Sequence, residues 1–111
     1  LQELIDFTKS HSIKLTFFIN PLHKSFYSAI AKAELTHDLT RWNVDINQFL
    51  LQNELAQHFY DFGMVIGKTD EPYPSPSQTE PLNWFWEPAH YNQKLGNELI
   101  EMMDQRICSS P

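Results

Sequence analysis

The sequence predicts an α/β domain with parallel strands, and it predicts that these 111 residues hold only part of one. Three observations carry this. Segments with helical spacing alternate with short apolar strands. The clearest strand, IKLTFFI at residues 13–19, is apolar almost throughout, as in sheets covered on both faces. Only two such strands can be counted, too few for an independent sheet.

The elements follow in order. LQELIDFTKSHS, residues 1–12, sets Leu1, Leu4, Ile5 and Thr8 on one helical face. IKLTFFI is the first strand, and Asn20-Pro21 ends it because proline cannot continue a ladder. KSFYSAIAKAEL, residues 24–35, is a helix with an apolar stripe at Phe26, Ile30 and Ala33. A second helix carries Trp42, Ile46, Phe49 and Leu50, with Asp38 or Thr40 as its candidate N-cap. HFYDF, residues 58–62, is the second strand. Residues 67–83 hold four of the seven prolines and no periodic pattern, which predicts a long loop. Loops of that length inside a compact domain are uncommon and often functional. Trp84-Phe85-Trp86 closes it. A last helix starts near Asn92 and carries Leu95, Leu99, Met102 and Met103.

Composition narrows the function classes. The chain is 41% hydrophobic and 14% aromatic, enough to build a core. A net charge of −6 argues against nucleic acid and against contact with an anionic membrane. No apolar run approaches the roughly 20 residues of a membrane span. The single cysteine, Cys108, has no internal partner for a disulfide. His11, His37 and His58 lack metal-ligand spacing, so no metal is assigned. Three glycines provide no phosphate-cradling loop, and no cofactor is expected.

The residues that invite chemistry lie in WFWEPAHYNQKLGNELI, residues 84–100. Glu87 stands three positions before His90. A carboxylate there can accept a hydrogen bond from Nδ1–H, fix the tautomer and stabilise the imidazolium. The ring then serves as a general base for a hydroxyl nucleophile. The spacing alone is unspecific, because Glu34 and His37 repeat it. The setting separates the two pairs: Glu87 and His90 lie between a long loop and a helix start, where sites gather in open α/β sheets. Asn92 is a good N-cap for that helix. Gly96, costly in a helix interior, implies close packing. Asp61, at the end of the second strand, is read as a turn residue, His23 as a loop histidine, and the acids at 70, 71 and 80 as a solvated loop.

This arrangement resembles the C-terminal half of the SGNH (GDSL-like) hydrolase superfamily. EPAHYNQKLGNELI matches its closing acid-x-x-His block and the helix glycine after it. Trp86-Glu87-Pro88-Ala89-His90-Tyr91 is close to the Trp-Asp-x-x-His-Tyr of relatives that acylate or deacylate cell-envelope polymers. The resemblance implies a three-layer α/β/α, flavodoxin-like fold, of which residues 1–111 form one partial domain. It implies that His90 is the catalytic base and Glu87 its orienting acid, with Trp84, Trp86 and Tyr91 as substrate contacts. The substrate would be a small acyl ester or a polysaccharide ester, and the location the cell envelope or periplasm. This chain departs from the family in two ways. It has Glu where the family has Asp. It also has no Gly-Asp-Ser nucleophile motif, and Asn20 follows the wrong strand for the oxyanion asparagine.

Two functions are therefore carried forward. In the first, the chain is the base-bearing part of an esterase or O-acyltransferase. In the second, it is a non-catalytic module that binds a partner or a second copy through an exposed sheet edge and its aromatic cluster. The first requires an accessible His90 facing an empty groove, with Glu87 on its ring.

Overall fold

The computed structural model describes residues 1–65, 67–75, 77 and 80–109. Helix α1 (Gln2–Ser10) leads into strand β1 (Phe17–Ile19). Helices α2 (Lys24–Lys32) and α3 (Thr36–Gln52) follow. A 3₁₀ turn (Ala56–His58) opens strand β2 (Phe59–Asp61). After the long loop come strands β3 (Phe85–Glu87) and β4 (His90–Tyr91) and helix α4 (Gln93–Ser109).

β1 and β2 pair in parallel, with Phe17 opposite Phe59 and Phe18 opposite Tyr60. The helix-and-strand alternation and the parallel pairing expected from sequence are thus present. Because side chains alternate along a strand, the register sends these pairs to opposite faces. Phe17 and Phe59 pack with Ile5, Leu50 and Leu55, the core under α1 and α3. Tyr60 packs with Phe62, Phe85, Leu95 and Leu99, the core under β3 and α4.

Several boundaries differ from the sequence reading. The first strand spans 17–19 rather than 13–19, and Ile13 is half exposed. It can be no longer than its three-residue partner allows. The helix expected over 24–35 stops at Lys32. The next begins at Thr36, with Leu35 at the N-cap position. Neither Asp38 nor Thr40 caps it. Asp38 lies in its first turn, and the Thr40 hydroxyl donates to the Thr36 carbonyl. The apolar stripe of α2 stays incompletely covered: no residue of that helix is buried.

The ends of α1, α2 and α3 share one device. Ser12, Glu34 and Glu54 each have φ between 55° and 60°, in the left-handed region. Each donates its N–H three residues back, to Lys9, Ala31 and Leu51. The next residue, Ile13, Leu35 or Leu55, donates five back, to Thr8, Ile30 and Leu50. This is the Schellman pattern, with serine or glutamate where glycine is usual.

The β3–β4 hairpin is antiparallel and irregular, with Phe85 opposite Tyr91 and Glu87 opposite His90. The sequence reading did not foresee it. Asn92 caps α4 as expected: its Oδ1 accepts the Leu95 N–H at 3.2 Å. Gly96 allows close approach, since a Cβ there would lie 3.2 Å from the Tyr91 ring, tighter than ordinary contact.

The left-handed glutamates generate a stability expectation. A non-glycine residue in that conformation costs roughly 1–2 kcal/mol. Glycine also loses more chain entropy on folding. The net expectation is that Glu34→Gly and Glu54→Gly each raise unfolding stability by up to about 1 kcal/mol. Urea unfolding measures this, and a loss of stability in both variants would refute the strain assignment.

Candidate functional site

The hairpin turn Glu87-Pro88-Ala89-His90 brings the acid and the imidazole together. Glu87 Oε1 contacts His90 Nδ1. Glu87 Oε2 accepts the Ala89 N–H at 2.9 Å. A carboxylate oxygen only accepts, so Nδ1 carries the ring proton and Nε2 is the basic nitrogen. The contact is local to the turn, and it sits in water: the His90 side chain is 78% exposed and that of Glu87 47%. The Ala89 N–H and then the His90 ring hold the Glu87 carboxyl below the usual glutamate range. The other acid-x-x-His pair has a different setting. Glu34 occupies the left-handed position that breaks α2 from α3, and His37 lies exposed in the first turn of α3.

The three aromatic candidates take three positions. Trp84 is half-buried, packs against the core, and has two ammonium groups over its ring. Lys68 Nζ is 4.2 Å from its ring centre and Lys94 Nζ 4.1 Å. Both are at cation–π distance. Trp86 is 73% exposed, on the strand that carries Glu87. Tyr91 follows His90 and packs on the core beside Gly96. Phe85, between the two tryptophans, is fully buried and anchors the strand.

The long loop is built rather than merely solvated. Glu71, read from sequence as a solvated acid, is buried. Its two carboxylate oxygens accept the N–H groups of Asn83 and Trp84 at 2.8 and 2.9 Å. His23, read as a loop histidine, has no exposed surface. It caps α2 by accepting the Ser25 N–H at Nδ1. The Ser25 hydroxyl lies 2.8 Å from the same nitrogen. That contact resembles a nucleophile–base pair in composition, but it belongs to the helix cap. Asp70 remains exposed and accepts the Gly67 N–H. Residues 76, 78 and 79 of the loop lie outside the described residues.

A groove of about 940 Å³ opens at the carboxyl ends of β1 and β2. Apolar side chains such as Leu22, Phe26, Ile30 and Trp42 dominate its lining. Asp61 lines it too and closes a turn by accepting the Gly63 N–H at 2.8 Å, as a turn residue should. Tyr27 donates its hydroxyl to the Gly63 carbonyl, and burial, then the nearby Asp61 charge, push its phenol upward. Neither Glu87 nor His90 is among the described residues that line this groove. The expected accessibility of His90 and its contact with Glu87 are present, while the groove described here lies elsewhere. The sequence signal for the groove was the position of Asn20 to Tyr27 just after a strand end, where parallel sheets place their ligands. Among the described residues no cluster of metal-ligating side chains occurs. No described helix is long and apolar enough to cross a membrane.

Glu87 is expected to titrate below the ordinary glutamate value of about 4.3. The sign follows from the lowered value: the ionised carboxylate favours the folded hairpin above the ordinary range. That preference is lost as the pH falls through the lowered value. Carboxyl-carbon NMR titration measures it. In His90→Ala the midpoint should stay depressed, because the Ala89 N–H is the larger cause. A full return to the ordinary value would show that the ring, not the turn, sets it.

Comparison with protein-family models, with curated proteins and with solved structures finds no match to this chain.

Proposed function

We propose that this chain is the base-bearing C-terminal part of an SGNH-like serine esterase or O-acyltransferase of three-layer α/β/α architecture. Its substrates would be acyl esters, with cell-envelope polysaccharide esters as one class. The observation that carries the reading is the Glu87 carboxylate on His90 Nδ1 in an exposed turn just before a helix. That arrangement leaves Nε2 to accept a hydroxyl proton.

In the proposed reaction a serine from the rest of the domain attacks the ester carbonyl. Its hydroxyl proton passes to His90 Nε2, and the carbonyl π pair moves onto oxygen. Collapse of the tetrahedral intermediate expels the alkoxide, which takes the proton back from Nε2. The acyl group is left on serine, and water or an acceptor alcohol then removes it by the same steps. Glu87 stabilises the transient imidazolium. A partial domain is supported by β1, whose two faces are apolar and which pairs only with β2 among the described strands. Apolar parallel strands belong inside sheets.

A second reading has its own support. Leu1, Leu4, Phe7, Phe18 and Trp42 are each between 43% and 56% exposed. Such a surface suits a non-catalytic module that binds a partner or a second copy.

One experiment separates the two. The native polypeptide is detected with an antibody against this segment, purified, and assayed on p-nitrophenyl acetate. The expected product is well above the 13.1 kDa of this chain and hydrolyses the ester. His90→Ala should then lower kcat/KM by about 10²–10⁴-fold. A native product near 13.1 kDa without hydrolysis would exclude the esterase reading and favour the binding module.

A further inference from the structure

Resting on the reading of His90 as a base, we infer that His23 and Glu71 are the positioning residues of the Glu87–His90 turn. His23 holds the turn through its backbone N–H on Pro88, Glu71 holds the entry to the hairpin through its carboxylate, and neither comes from the hairpin itself.

The His23 side of the clamp starts at the end of β1. The His23 N–H donates to the Pro88 carbonyl at 2.9 Å. Pro88 lies inside the acid-x-x-His segment, so this bond fixes the peptide between the two functional groups. The ring holds that backbone in place. Its Nε2 lies 2.7 Å from the Glu71 carbonyl oxygen. A carbonyl only accepts, and the Ser25 N–H only donates, so the ring is in the Nε2–H tautomer. Its faces pack near Phe85 of β3, at 5.6 Å edge-on, and Tyr73 of the loop, at 5.5 Å.

The Glu71 side holds the entry to β3. Its carboxylate takes both the Asn83 and Trp84 N–H groups. The Trp84 carbonyl accepts the Asn92 N–H, and the Asn83 carbonyl accepts the Asn92 side-chain amide. The same Asn92 caps α4. Both ends of the hairpin are therefore tied to one buried carboxylate. The Lys24 N–H donates to the Thr69 carbonyl and its ammonium to the Asp70 carbonyl, so the loop segment 69–71 is docked on the start of α2. A change at either residue leaves buried donors or acceptors unpaired. The turn would relax.

Two variants separate this role from general stability. His23→Asn retains an N-cap side chain for α2 but is too short to reach the Glu71 carbonyl. Glu71→Gln keeps the volume and removes one acceptor oxygen. Ser25→Ala is the control, because it touches the cap hydroxyl alone. The readout is the ¹⁵N spectrum of the His90 ring in the full native polypeptide, with kcat and KM on p-nitrophenyl acetate. Native protein should show a dominant His90 Nδ1–H tautomer. Both positioning variants should shift it toward a mixture while far-UV circular dichroism is retained. kcat should fall by up to about 10²-fold, with KM within about twofold of native, the split expected of misplacement without lost substrate contact. Should His23→Asn fail to fold, Glu71→Gln alone decides. An unchanged His90 tautomer in the folded variants overturns the inference. A shifted tautomer in a native protein that never hydrolyses esters supports the clamp and rejects the esterase reading, so the two failures are distinguishable.

Discussion

The parallel pairing of β1 with β2 is the constraint on which the rest of the chain depends. Two of its three residue pairs send aromatic side chains to opposite faces and so divide the apolar residues into two cores. Ile5 and Leu50 are buried on one side, Phe85, Leu95 and Leu99 on the other. Parallel pairing also puts the carboxyl ends of both strands at one edge. The loop after β1 carries His23, and the loop after β2 carries Thr69 and Glu71. Because both leave from the same edge, they meet, and their buried polar groups find one another. In the described residues no buried side-chain nitrogen or oxygen lacks a partner. The hairpin carrying Glu87 and His90 is assembled on that meeting point.

The faces of the elements were legible in the sequence, because apolar spacing reports directly on burial. Ile5 and Thr8, Ile46 and Leu50, and Leu95 and Leu99 point to core as their periodicity predicts, whereas Leu1, Leu4, Trp42 and Met102 of the same predicted stripes are exposed. The ends were less legible. The usual mark of a helix end is glycine in the left-handed position, and the chain has only three glycines, none of them there. Glu34 and Glu54 take the conformation instead, although nothing in a glutamate announces it. The apolar residue that follows each, Leu35 and Leu55, was the readable part of the motif. The β3–β4 hairpin has strands of three and two residues, too short for an alternating pattern to show.

The site was legible in part for the same reason. Glu87 and His90 interact within one turn, so their spacing contains the contact. Glu71 and His23 act across 48 residues and through backbone groups. Main-chain amides leave no mark on a sequence, so a buried glutamate that binds two of them looks like any acid in a polar loop. Composition favoured the wrong reading there. Burial of a carboxylate is tolerated because each oxygen receives an N–H, the condition under which a buried charge is retained.

In the esterase reading Glu87 stands where the resembling family has aspartate, and the turn determines how its longer side chain is held. The extra methylene gives the carboxylate more rotamers to lose. The turn removes them by donating the Ala89 N–H to one oxygen, which leaves the other for His90. The acid is therefore kept ionised mainly by its own backbone. Orientation of the ring is thus available in the open chain. Electrostatic stabilisation is a different matter, because water screens the attraction between exposed charges. With His90 78% exposed, the pair gains its full effect only when something covers it. Among the described strands β1 pairs only with β2, so its other edge can take a further strand or a partner. In the esterase reading a single addition, the rest of the sheet with its nucleophile loop, meets both needs. In the binding-module reading a partner covers the edge, and the exposed imidazole is left without a task.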